Sequence, residues 1–286
     1  MSSGSQVWFI TGCSSGFGLA VTELALLKGD KVVATLRKPD ILADLTTKYP
    51  DTLLVLRLDV TQPEEVTNAF SAARERFGRI DVVLSNAGYG MISEIEGTGD
   101  KNARNLFEVN FWGASYVGRE AIKFFRGENQ PAGGRLIQVS SLSGIKSGPG
   151  SAWYCASKFA IEALTEALAA EVSPNWNIKV TIVEPGPFRT ACPTTNMFTE
   201  PVHPAYNNPS LPSMQLRGVL ANPNAAFNGD PDKLAEAMYR LAYLEDPPMR
   251  LPIHPAALEA FRSQGRHLID TADKWASWSE DVCLKE

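Results

Sequence analysis

Short apolar runs alternate with longer helical ones over the first two-thirds of this 286-residue chain, and that alternation limits the folds open to it. Val7–Thr11, Lys31–Thr35, Thr52–Asp59, Asp81–Asn86, Arg135–Ser140 and Ile178–Glu184 are rich in Val, Ile and Leu and mostly apolar throughout. Runs of that kind suit strands buried on both faces. Helical patterns lie between them, near Gly18–Lys28, Pro63–Phe77, Asn102–Phe125 and Tyr154–Val172. Strand-helix alternation implies parallel pairing through right-handed crossovers, hence a doubly wound α/β sheet. With no internal repeat and no dividing linker, residues 1–286 read as one domain.

The rhythm breaks at Ala191. Residues 191–231 hold seven of the nineteen prolines, mixed with Met197, Phe198, Tyr206, Leu211, Met214, Leu216 and Phe227. Connections this long tend to be lids or disordered segments, and the apolar content predicts a substrate lid inserted before the last strand. Alternation resumes with a helix at Asp232–Leu244 and a strand near Arg250–Ile253. Residues 255–286 follow as a helical tail carrying Trp275 and Trp278.

Composition removes several classes of function. Hydrophobic residues make up 44% and charged residues 21%, and the net charge of −5 offers no basic surface for nucleic acid. No run approaches the roughly 18 apolar residues of a membrane span, and the first residues lack a signal-peptide pattern. A soluble, cytoplasmic protein is expected. Cys13, Cys155, Cys192 and Cys283 form no C-x-x-C pair, and His203, His254 and His267 do not join them at ligand spacing, so no metal site is expected. Cys13 and Cys155 read as small residues filling tight space.

Directly after the first strand comes Thr11-Gly12-Cys13-Ser14-Ser15-Gly16-Phe17-Gly18, which opens a helix. Glycines at a strand-to-helix turn let backbone approach a pyrophosphate, and the helix N-terminus offers unbonded N–H groups and a positive dipole end. At the end of the second strand, where NAD sites usually carry an acid, stand Leu36, Arg37 and Lys38. A guanidinium in that place suits a ribose 2′-phosphate, so NADP(H) is the expected cofactor.

Tyr154 and Lys158 stand four residues apart, on one face of a predicted helix. A free phenol has a pKa of about 10, and a neighbouring ammonium favours its ionised form. The pair is therefore a candidate general acid/base.

The Gly-x-x-x-Gly-x-Gly spacing of residues 12–18, joined to Tyr-x-x-x-Lys, resembles the short-chain dehydrogenase/reductase family. The resemblance continues through Asp59, Asn86-Ala87-Gly88, Asn110, Ser141, Pro185-Gly186 and Thr190, and spans residues 5–255. It implies a Rossmann domain with a mainly parallel sheet of about seven strands. It implies that Asp59, with Val60 beside it, meets the adenine, that Pro185, Gly186 and Thr190 flank the nicotinamide, and that Lys158 reaches the nicotinamide ribose. Ser141 aligns with the residue that binds the substrate carbonyl, with Ser140 as fallback. Asn110 aligns with the helical Asn that holds a water against the lysine. Ser85 stands where the family usually has Asn.

The expected activity is NADP(H)-dependent interconversion of a ketone or aldehyde and an alcohol on a hydrophobic substrate, with hydride from nicotinamide and the proton from Tyr154. Leu36-Arg37 and the run from Tyr154 to Ala160 look similar to members acting on steroids, retinoids and other bulky carbonyls. A silent NADP-sensing protein is the alternative, and a lyase or epimerase on the same fold is a third reading. A homodimer or tetramer through helices 102–125 and 154–172 is also implied, with Phe107, Phe111, Trp112, Tyr116 and Phe124 facing either a partner or the sheet.

Overall fold

A computed structural model describes residues 4–190, 196–222 and 227–284. Cys192 and residues 223–226 of the expected lid lie outside the described residues. Strands β1 (Val7–Thr11), β2 (Lys31–Leu36), β3 (Leu53–Arg57), β4 (Val82–Ser85), β6 (Gly134–Val139), β7 (Ile178–Pro185) and β9 (Arg250–Ile253) form one sheet of seven strands in the order β3-β2-β1-β4-β6-β7-β9. All six neighbouring pairs run parallel. The order reverses between β1 and β4, which opens a crevice at their C-terminal ends, the usual ligand position in such sheets.

Alternate residues of each strand feed two cores. Trp8, Ile10, Val32, Ala34 and Leu36 pack on one face with Val21 and Ala25 of α1 (Gly16–Leu27) and Leu234 and Met238 of α8 (Pro231–Ala242). Phe9 and Val33 point the other way, to Phe70 of α3 (Pro63–Phe77) and Phe124 and Phe125 of α5 (Ala114–Gly127). The Phe9 and Phe70 rings stack at 4.2 Å. A short helix α2 (Ala43–Lys48) between β2 and β3 has no counterpart in the sequence pattern.

Two helices differ from expectation, and for Phe124 and Trp112 the exposures differ from one another. The helix expected over 102–125 is divided into α4 (Asp100–Phe107), a π-helical turn at Glu108–Gly113, and α5. Phe124 faces the core, whereas Trp112 is exposed. The helix α6 (Ala152–Glu171) starts two residues before Tyr154, so that residue stands in its first turn.

Part of the insertion after β7 is ordered into elements of its own. Strand β8 (Met197–Thr199) pairs in parallel with β5 (Gly90–Ile92) as a separate two-stranded sheet, and α7 (Pro212–Leu220) follows. A salt bridge links α7 to the segment after β5. Arg217 of α7 donates from Nε and Nη2 to both oxygens of the buried Glu94, at 3.1 and 2.9 Å, and from Nη1 to the Glu200 carbonyl. Burial pushes the Glu94 carboxyl up, but the Arg217 hydrogen bonds and charge outweigh it and hold the group below its ordinary range. Helix α9 (Pro255–Trp275) leads into the tail, and its residues from Arg266 onward are exposed. Among the described residues no helix is long and apolar enough to cross a membrane.

Candidate active site

The turn after β1 and the end of β4 are sewn together at the crevice. Thr11 Oγ1 accepts from the backbone N–H groups of Asn86 and Ala87, at 2.9 and 3.0 Å. Asn86 Nδ2 returns a bond to the Thr11 carbonyl at 2.9 Å. Gly12 has φ +75, and a Cβ there would lie 2.9 Å from the Cα of Ala87. A Cβ on Gly18 would lie 2.4 Å from the Gly12 carbonyl oxygen. Both positions therefore require glycine, the second through close approach of α1 to the turn. Helix α1 begins at Gly16 with no side-chain cap and no acidic residue in its first turn, which leaves its N-terminal N–H groups facing outward for an anion.

Neighbouring side chains complete that end of the site. Ser14 is exposed, and Ser15 Oγ accepts from Asn196 Nδ2 of the insertion at 3.1 Å. Phe17 meets Phe188 edge to face at 5.6 Å, and Phe188 meets His254 in the same manner. Thr190 packs close to Gly16. Pro185 ends β7 opposite Ile253, and the Gly186 N–H donates to the Ile253 carbonyl at 3.0 Å. The Gly186 backbone sits so close to His254 that a Cβ would fall 2.7 Å from that residue's own Cβ. His254 itself has φ 118, a strained conformation for a residue with a side chain.

Arg37 follows β2 and is exposed, with no ion pair among the described residues. Its charge reaches the Tyr89 phenol, whose pKa is raised by burial and pulled back in part by Arg37. Asp59 follows β3; its Oδ1 accepts from the N–H and hydroxyl of Thr61. The Val60 side chain is buried against Gly113. Cys13 is buried under the turn, and desolvation pushes its thiol up to about 12, so it is a protonated filler at neutral pH.

On the other side of the crevice, Lys158 is 6% exposed and its Nζ donates to the Val139 carbonyl at 3.1 Å. The same ammonium lies 5.9 Å from the centre of the Tyr154 ring. Gly88 lies between Lys158 and Asn110: a Cβ there would sit 3.8 Å from Nζ and 3.1 Å from the Asn110 Oδ1. Asn110 is 1% exposed. Its Oδ1 accepts from the Tyr89 N–H at 3.0 Å, and its Nδ2 donates to the Tyr89 carbonyl at 2.9 Å and to Ser157 Oγ at 3.2 Å. This two-way bond to a neighbouring loop occupies the π-helical turn, a local irregularity common at functional sites. Ser141 caps the turn after β6 by accepting from the Ser143 N–H at 3.1 Å. The hydroxyl of Ser140, the fallback position, is committed to Glu162.

The structure thus spreads the expected residues along the C-terminal edge of the sheet. Arg37 and Asp59 stand at the β2 and β3 end, the glycine turn at the centre, and Asn110, Ser141, Tyr154 and Lys158 beyond β4. Four residues had no motif to mark them: His254 behind Gly186, Glu94 and Arg217 of the insertion's salt bridge, and Glu162. Thr11, which opens the glycine motif, was marked by sequence, but its role as the stitch to β4 was not.

Comparison with known proteins identifies the family. The short chain dehydrogenase family profile matches residues 6–199. An uncharacterized oxidoreductase of Schizosaccharomyces pombe is 38% identical over 273 residues, covering 96% of this chain and 90% of that protein. The 3-ketodihydrosphingosine reductase of Bacteroides thetaiotaomicron is 29% identical over 272 residues, covering 95% of this chain and 96% of the relative. A crystal structure of a short-chain dehydrogenase from Streptomyces avermitilis superposes with a TM-score of 0.87 at 32% identity, covering 99% of this chain and all of that one. The chain belongs to the short-chain dehydrogenase/reductase family of NAD(P)-dependent oxidoreductases.

Proposed function

We propose that this protein is an NADP(H)-dependent carbonyl reductase or alcohol dehydrogenase acting on a hydrophobic substrate. The observation that carries the reading is the grouping of Gly88, Asn110, Tyr154 and the buried Lys158 ammonium at the strand ends that adjoin the glycine turn.

The turn fits a dinucleotide. Gly12 and Gly18 leave no space for side chains, and the uncapped start of α1 offers N–H donors to a pyrophosphate. Gly12, Ser14, Ser15, Gly16, Phe17 and Gly18 would hold the phosphates and Arg37 a 2′-phosphate. Asp59 and Val60 would meet the adenine, Asn86, Ala87 and Gly88 would line the bound nucleotide, and Pro185, Gly186 and Thr190 would flank the nicotinamide. Lys158 and Tyr154 would reach the nicotinamide ribose. The uncommitted guanidinium at Arg37, in the place of an acid, favours NADP(H) over NAD(H).

When bound, the cofactor supplies or accepts the hydride. The protein's own work is proton transfer and polarisation. Ser141 and Tyr154 donate to the substrate oxygen, and in reduction Tyr154 passes its proton to the forming alkoxide. Lys158 favours negative charge on the phenol oxygen that remains. Asn110, through the Tyr89 loop and Ser157, keeps the π-helical turn against the lysine for proton resupply. Support for an apolar substrate comes from Met91 and Ile92 beside the insertion, and support for a carbonyl from the Bacteroides relative, whose name gives a ketone as its substrate.

The test is NADPH oxidation against a panel of apolar ketones and aldehydes, repeated with NADH. Turnover favouring NADPH is expected, and Tyr154→Phe should abolish it while NADPH binding stays near normal. Tight NADPH binding without turnover of any carbonyl would instead identify a cofactor sensor. Equal or better kcat/KM with NADH would remove the cofactor preference.

A further inference from the structure

Beneath these residues the protein buries charges that the chemistry above does not use. Glu162 lies one helical turn beyond Lys158 on α6 and is 1% exposed, and Glu184 on β7 is fully buried. Ser140 Oγ donates to Glu162 Oε1, and Arg250 Nη1 donates to Glu162 Oε2 at 2.6 Å and to Glu184 Oε1 at 2.9 Å. Arg250 Nε reaches Glu166 Oε1 at 2.8 Å, while the Leu251 N–H donates to Glu184 Oε2 at 3.0 Å. The loop after β6 closes over the Glu162 carboxylate so tightly that a Cβ on Gly144 would lie 1.9 Å from Oε1.

Burying two carboxylates around one guanidinium is costly, and well-packed apolar residues are often as stable or more so. What the carboxylate adds is geometry. One oxygen of Glu162 holds the loop and the other holds the last strand, while its backbone belongs to the helix of Tyr154 and Lys158. Ser141 lies between the loop's two contacts with that carboxylate, Ser140 and Gly144.

We propose that Glu162 is a positioning residue that keeps the Ser141 turn in register with Tyr154 and Lys158, with Arg250 as its counter-ion. The proposal rests on the function assigned above. The charged and polar groups facing Glu162 are Ser140 from the loop, Lys158 and Glu166 from α6, Glu184 from β7 and Arg250 from β9. Burial raises the Glu162 pKa, and its bonds to Ser140 and Arg250 and the charges of Arg250 and Lys158 pull it back, so the carboxylate is coupled to the lysine as well as to the loop.

Ser140→Ala in the full chain deletes one hydroxyl and cuts the link from the loop side. We expect kcat to fall about tenfold or more, since small misplacements of catalytic groups cost that much, with NADPH affinity and thermal midpoint close to wild type. Amide hydrogen exchange of residues 141–145 should speed up in the same variant, with or without cofactor. Glu162→Ala should show the same loss, deeper, and with a lower thermal midpoint. Ser140→Ala with wild-type kcat and unchanged exchange overturns the proposal, as does a kcat loss matched by equal losses of NADPH affinity and thermal stability. A wild-type protein that turns over no carbonyl overturns both this role and the function it serves.

Discussion

Arg37 is exposed and stands where a carboxylate would repel a 2′-phosphate. A charge-assisted hydrogen bond contributes about 1.5–3 kcal/mol, or about 10- to 100-fold in affinity. Arg37→Ala is therefore expected to lower kcat/KM for NADPH by about that factor and to leave NADH use largely unchanged. Steady-state kinetics with both cofactors check this, and an unchanged ratio would remove Arg37 from the specificity argument. The residue types of the site were legible because their chemistry is local. Tyr154 and Lys158 share one helix face, and Gly12 through Gly18 share one turn. Glu162 and Arg250 were not legible, since their bonds join positions 22 and 88 residues apart and follow no sequence period. Burial of a glutamate in an amphipathic helix is invisible until the facing strand is known.

At the scale of elements, the seven strands of the main sheet were readable to within one or two residues because each is apolar and bounded by turn residues, whereas the short β5 and β8 were not. Apolar residues recur through Glu108–Gly113 as on either side of it, so sequence alone predicts one continuous helix over 102–125. The π-helical turn instead coincides with the Asn110 amide's bonds to Tyr89, a contact across 21 residues that no local period signals. The insertion was expected only as an apolar, proline-rich excursion; its pairing with β5 and the Arg217–Glu94 bridge depend on partners more than 100 residues away. Arg217→Ala would strand a carboxylate whose side chain is 2% exposed, a change that costs about 3–5 kcal/mol when a buried partner is lost. We expect α7 and residues 196–211 to become the first site of limited proteolysis, with KM for apolar substrates raised more than kcat is lowered. Wild-type protease resistance in that variant would show that the bridge does not anchor the insertion.

For the whole molecule, the buried cluster around Arg250 couples stability to pH. Burial first, and then the charge of Glu162, push the Glu184 carboxyl from its ordinary 4.5 up to about 8, against the opposing pull of Arg250. A carboxyl whose folded pKa is raised binds its proton more tightly in the folded state. Its contribution is complete below about pH 4.5 and is lost as pH rises through about 8. Denaturation midpoints of wild type and Glu184→Gln, measured from pH 5 to pH 8, should diverge in favour of the variant as pH rises. A constant difference would mean that Glu184 is ionised throughout. A different whole-molecule property follows from how β8 meets β5. The seam consists of backbone bonds, including the Gly90 N–H to the Asn196 carbonyl at 3.1 Å and the Glu200 N–H to the Ile92 carbonyl at 2.9 Å. Main-chain bonds do not depend on side-chain identity, so substitutions along β5 and β8 that leave the Arg217–Glu94 bridge intact can redraw the walls of this region without unseating it. Under the proposed function, in which this region borders the substrate, a lineage could exchange one substrate for another while the residues proposed for proton transfer stay as they are.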